Sequence, residues 1–178
     1  MVQPEERAQE ILAAVPEYVW NGRSLPVPIS DIADTCFGLL VRDADDLGAA
    51  PGAPTLGSDQ TLSGLLLADR REIWVNAAEG LEWPGRRRFT IGHELGHWCL
   101  HTDRAEHSVF CRPTSIQDEP KPEIPPEEEE ANAFAAALLM PPELLRQQYV
   151  KTGRDFHTLC RIFGTSQSAM GRRLHQVV

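Results

Sequence analysis

The sequence predicts an α+β fold: a small antiparallel sheet packed against two helices, followed by a helix-turn-helix-like pair. Three observations lead there. Short runs of strand-forming residues cluster between positions 39 and 75, two of them joined by a tight turn. Residues 89–101 and 127–140 are rich in apolar residues at helical spacing. Residues 143–178 hold two further helical stretches separated by Gly164. At 178 residues the chain suits one domain or one domain with an appendage. A shift in charge divides it into 1–142 and 143–178.

In chain order, residues 5–15 form an amphipathic helix with Ala8, Ile11, Leu12 and Val15 on one face, stopped by Pro16. Pro26 and Pro28 lead to a second short helix, with Ser30 as cap and Ile29, Ile32, Ala33 and Cys36 on one face. Gly38 ends it, and Leu39 to Val41 is a strand. Residues 44–60, rich in Gly, Ala, Asp and Pro, are a loop. Strands near 62–67 and 72–75 flank a hairpin turn at Asp69-Arg70. Residues 102–125 are heavy in charge and proline and read as a loop, either a partly mobile segment near the site or a plain solvated linker.

The chemistry centres on His93-Glu94-Leu95-Gly96-His97. In a helix, His93 and His97 stand one turn apart on one face, so both imidazoles can reach one ion. Glu94 lies about 100° round from His93. There it can take a proton from a water on that ion without being a ligand. This is the H-E-x-x-H arrangement of zinc sites. Gly92 and Gly96 each cost a helix interior about 1 kcal/mol relative to Ala. Four residues apart, they offer a strip where another backbone can come close. Phe89, Ile91, Leu95, Trp98 and Leu100 make most of the remaining surface apolar, which predicts a buried helix.

A catalytic zinc wants a third protein ligand. The run Glu127-Glu128-Glu129-Glu130 opens the second helix, where four acids also suit the helix dipole. With Ala131, Phe134, Ala135, Leu138 and Leu139 as the buried stripe, Glu127 and Glu128 lie about 50° either side of its centre. Periodicity leaves both open. Asn132, one turn beyond Glu128, is placed to buttress a ligand.

Composition excludes other classes. A net charge of −9 argues against direct nucleic-acid binding. No run of some 18 apolar residues is present to span a membrane. The start, Met1-Val2-Gln3-Pro4-Glu5-Glu6, is unlike a signal peptide. Cysteines at 36, 99, 111 and 160 have no C-x-x-C spacing, so a cytoplasmic protein with reduced thiols is expected.

The run from Arg88 to His97, ending in His101, and the run from Glu128 to Pro141 resemble the ImmA/IrrE-type metallo-endopeptidases. Weaker echoes are Val27-Pro28-Ile29 to Ala33, and Leu62-Ser63-Gly64 to Val75-Asn76. The resemblance implies a zincin-like core and Glu128 as third ligand beside His93 and His97. It implies one Zn²⁺ per chain, with Glu94 as general base. It also implies a bacterial or phage-borne protease whose partner is a helix-turn-helix transcriptional repressor.

A second stabiliser for the oxyanion is expected among His101, His107 and Tyr149. Cys99 and Cys111 are more simply small buried residues than ligands. If Ile73, Trp74 and Val75 form an edge strand, a substrate peptide can add to it. Residues 143–178 carry six Lys and Arg against two acids, a net +4. Thr165 or Ser166 caps the last helix, which carries Met170, Arg172, Arg173 and Leu174. Packing of this pair on the core is favoured over contact with DNA or the repressor, because its basic residues are few. The competing functional class is a DNA- or protein-binding regulator whose metal site is structural or idle.

Overall fold

A computed structural model describes residues 3–53, 61–101, 109–114 and 125–178. Helix α1 (Pro4–Ala14) has proline in its first turn, where a missing N–H costs nothing, and buries Ala8 and Ile11. Helix α2 (Ile29–Phe37) ends at Gly38, which takes φ +64° and donates its N–H to the Asp34 carbonyl at 2.8 Å. Pro28, not Ser30, precedes α2, and Cys36 is exposed rather than on the buried face.

The sheet contains β1 (Leu40–Ala44), β2 (Thr61–Leu67), β3 (Glu72–Asn76) and β4 (Val109–Thr114), in the order β1-β3-β2-β4. The β2–β3 hairpin is antiparallel, with Leu65 opposite Trp74, and turns through Ala68–Arg70 as its short connection requires. β1 instead pairs parallel to β3, with Val41 opposite Ile73. The expected all-antiparallel sheet is therefore corrected to a mixed one. The link after β1 is long enough to carry the chain past the hairpin, so nothing forces β1 to run antiparallel to its neighbour. β4 lies inside the stretch expected to be loop. Its apolar core of Val109, Phe110 and Cys111 is too short to stand out among prolines and charges, and pairing with β2 supplies the strand. The rest of that expected loop up to residue 124 lies outside the described residues, as do residues 54–60 of the earlier loop.

Helix α3 (Ala77–Glu82) is too short to show a period and was not foreseen. Asn76 caps it, its Oδ1 accepting from the Glu79 N–H at 3.0 Å. Then come α4 (Pro84–His101), α5 (Pro126–Leu139), α6 (Pro142–Lys151), α7 (Phe156–Phe163) and α8 (Gln167–Val177). Gly164 closes α7 at φ +60°, and Ser166 caps α8, its Oγ accepting from the Ala169 N–H at 3.2 Å.

One main core joins Ile11 of α1, Ile32 of α2, Leu66 and Ile73 of the sheet, Ile91 and Leu95 of α4, and Phe134 and Leu138 of α5. Leu159, Phe163 and Met170 of the terminal helices belong to the same core. Arg173 is drawn in with them. It is 2% exposed, with Nη2 donating to Glu5 Oε1 at 2.7 Å and Nε to the Met140 carbonyl at 3.2 Å. The α7–α8 turn abuts the start of α4: a Cβ on Gly85 would sit 2.8 Å from the Thr165 carbonyl carbon. The opposite face of the sheet is covered by Leu47 and Ala50 against Leu62, Leu65 and Leu67. Among the described residues no helix is long and apolar enough to cross a membrane.

Candidate metal centre

Helix α4 is fixed at its N-terminal half by three consecutive arginines. Arg86 Nε meets Glu79 Oε1 at 2.6 Å, and its Nη2 donates to Ser63 Oγ at 3.2 Å. Arg87 donates twice to Asp43, at 2.7 and 2.9 Å, and Arg88 Nη2 donates to the Val27 carbonyl at 2.6 Å. Together they tie the helix to α3, β1 and β2, and the segment before α2. Sequence reasoning passed over them. A signal existed: cations oppose the helix dipole at an N-terminus, so a basic run there needs tertiary partners to hold it.

The C-terminal half of α4 meets α5 through its glycines. A Cβ on Gly92 would lie 3.3 Å from Ala135 Cβ, and one on Gly96 would lie 3.1 Å from Ala131 Cα. The expected close strip is thus present, and its partner is the alanine face of α5. That approach brings the first turn of α5 over the two histidines. Glu128 Oε2 stands 3.1 Å from His93 Nε2, and Glu128 Oε1 stands 3.2 Å from His97 Nε2. The two Nε2 atoms are 3.0 Å apart. Geometry therefore selects Glu128 where periodicity left Glu127 equal to it. The Glu127 side chain is exposed and is not among the converging groups.

This donor set fits a metal. Tetrahedral ligands about 2.0–2.1 Å from zinc are separated by roughly 3.3 Å, close to the triangle seen here. Asn132 Oδ1 lies 3.1 Å from His93 Nδ1. An amide oxygen accepts, so Nδ1 carries the proton and the His93 Nε2 lone pair points at Glu128 and His97. Acceptors gathered at this distance repel unless a proton or cation stands among them. Burial by itself raises the Glu128 carboxyl; hydrogen bonding with His93 and His97, in which a proton stands where a cation would, outweighs it and holds the group at about 2. The carboxylate is thus ionised and ready as a ligand. Glu94 is fully buried one residue from His93, on the α4 face toward β2.

Of the other expected site residues, His101 lies beside His97, with ring centroids 5.5 Å apart. His101 is 3% exposed, with Nε2 3.3 Å from the Glu127 carbonyl and 3.6 Å from Glu130 Oε2. Burial, then the neighbouring His97, lowers its pKa. It braces the start of α5 and is not one of the converging ligands. Tyr149 packs against the main core with the Arg154 guanidinium over its ring at 5.8 Å, and it is not one of the converging groups. Cys99 is half-buried and pushed up to about 12 by desolvation, as a packing thiol would be. His107 and the Cys111 side chain lie outside the described residues. The expectation that a peptide adds to Ile73, Trp74 and Val75 is removed. β3 is paired on both sides, by β1 and β2, and Ile73 and Val75 are buried. The outer strands are β1 and β4.

Residues 49–175 match the family model Peptidase_M78, described as the IrrE N-terminal-like domain, and the chain belongs to that family. No curated protein matches it. Among solved structures it is similar to a Mycobacterium tuberculosis transcriptional regulator, at 16% identity and a TM-score of 0.55. The match covers 96% of this chain and 46% of that one, so the chain spans a little under half of that protein. At this identity the likeness speaks to the fold alone.

Proposed function

We propose that this Peptidase_M78 chain is a cytoplasmic zinc endopeptidase that cuts a protein partner, a helix-turn-helix transcriptional repressor. The observation that carries the reading is the convergence of His93 Nε2, His97 Nε2 and Glu128 within 3.2 Å, with buried Glu94 adjacent in sequence. Two imidazoles and one carboxylate suit zinc and leave a coordination position for a reacting group. When bound, zinc would acidify a water and polarise the scissile carbonyl.

The chain's own residues supply the rest. Glu94 accepts the proton as the water oxygen bonds to the carbonyl carbon, then delivers it to the leaving nitrogen as the C–N bond breaks. Asn132 keeps His93 in the tautomer whose Nε2 is free to ligate. β4, an outer strand that lies beside β2 and touches α4, offers an edge along which an extended substrate can lie.

The competing reading is a DNA- or protein-binding regulator with a structural or idle metal site, and its DNA-binding form sits poorly with this arrangement. Arg173 is used up in the core, and the start of α8 lies against α4. The test pairs elemental mass spectrometry with a cleavage assay on helix-turn-helix repressors. One zinc per chain is expected in both wild type and Glu94→Gln. Cleavage should fall by roughly 10²–10⁴ in Glu94→Gln, the range for a general base. A Gln variant that cuts as fast as wild type would sink the mechanism.

A further inference from the structure

Helix α4 crosses the sheet at Gly64 of β2. A Cβ there would collide with Thr90 Cγ2 and lie 3.2 Å from Glu94 Oε1 and 3.3 Å from the Trp74 carbonyl oxygen. Thr90 and Glu94 are one helical turn apart on the same face, and both are essentially unexposed. The strand is irregular at this point. Its pairing with β4 runs from Leu65 opposite Cys111 directly to Leu62 opposite Pro113, so β2 carries one extra residue. Such a bulge changes which side chains face which way. Leu62 joins Leu65 and Leu67 against the outer cluster, while Gly64 and Leu66 are left facing α4.

We propose that Gly64 is a positioning residue for Glu94. The bulge presents a backbone position without a side chain beneath the carboxylate, and this sets how deep Glu94 stands beside His93. The inference rests on Glu94 being the base. It goes further in locating what holds that base in place, on a strand remote in sequence. Any side chain at 64 must displace Thr90, Glu94 or the helix. Thr90 cannot yield cheaply, because a β-branched residue in a helix has few rotamers open to it.

A packing role and a positioning role separate in a double variant. Thr90→Ser deletes the methyl that an alanine at 64 would strike, but leaves the new Cβ against the Glu94 carboxylate. Three quantities would be read on the full chain: zinc stoichiometry after dialysis, melting temperature, and affinity of the zinc-loaded protein for acetohydroxamic acid. That probe ligates a metal through its oxygens and hands its proton to an adjacent carboxylate, so it reports where Glu94 stands. Gly64→Ala should melt lower and bind the probe more weakly. Gly64→Ala with Thr90→Ser should regain its melting temperature and one zinc per chain. Its probe affinity should stay about tenfold or more below wild type, as for a lost charge-assisted hydrogen bond.

Probe affinity that recovers together with stability would leave Gly64 a packing residue and overturn the proposal. If the double variant stays unstable, zinc decides: full zinc with weak probe binding supports positioning, and parallel loss of both overturns it. Glu94→Gln is the reference for complete loss. Should that variant bind the probe as wild type does, the reading of Glu94 as base fails with this one, whatever the Gly64 variants show.

Discussion

Helix α5 opens with four glutamates and α8 carries two adjacent arginines, and each run turns one charge inward. Glu128 does so over two imidazoles, with its side chain 26% exposed. Arg173 does so beneath α1, with its side chain 2% exposed. Their neighbours differ in kind. Around Arg173 each of the three guanidinium nitrogens meets an acceptor: the Glu5 carboxylate, the Met140 carbonyl or Gln176 Oε1. Around Glu128 a carboxylate meets the lone pair of His93 Nε2, so acceptor faces acceptor. A saturated buried charge holds a structure together. An excess of converging acceptors calls for a cation.

The contrast breaks most visibly at the metal. Glu128→Ala should reduce zinc affinity by more than about 10²-fold, since even groups that only buttress a ligand are worth 10–100-fold. Glu127→Ala should leave it unchanged, and equilibrium dialysis of the two variants side by side distinguishes them. Equal losses would mean that the first turn of α5 acts as a charged whole.

Arg173→Ala should do the reverse. It leaves a polar cluster unpartnered, and a loss of about 2–4 kcal/mol in denaturant unfolding is expected, with zinc stoichiometry intact. Arg173→Met, which keeps the packing, should lose less. Unchanged stability in both would show that the α1–α8 tie is incidental.

The smallest effect is on pH. Hydrogen bonding from Arg173 lowers the Glu5 pKa below 4.5 against an opposing contribution from burial. A depressed carboxylate contributes stability above its unfolded value of 4.5 and loses it as pH falls through the lower folded value. Glu5 is nearly half exposed, so the contribution is under about 1 kcal/mol. The melting-temperature gap between wild type and Glu5→Gln should therefore be present at pH 7 and close in acid below pH 4.5. A gap that persists there would assign the effect to packing rather than charge.

Much of this could be read from the residues in order. His93 and His97 need only a helix to share a face, and helical geometry is local. Gly92 and Gly96 announced a close neighbour because their cost to the helix needed a return. Gly164 and Ser166 marked the break between α7 and α8 because caps act within a few residues. The arginines at 86–88 were equally local but lacked visible partners, since Asp43, Glu79 and Val27 lie on three other elements. Ile73 to Val75 read correctly as a strand and wrongly as an edge, because alternation gives the faces of a strand and not its neighbours.

By itself the sequence determined that His93 and His97 share one helical face with Glu94 beside them, that the two central helices are buried, and that Gly38, Gly164 and Ser166 are caps, because each depends on spacings of a few residues along one element. Tertiary structure decided what periodicity left open, that Glu128 and not Glu127 meets the histidines, and it alone decided that β1 runs parallel to β3, that Arg173 is interior, and that Gly64 lies under Glu94. Those facts depend on how far one element slides or turns against another. That is set by the summed packing of the core, which no short stretch of chain contains.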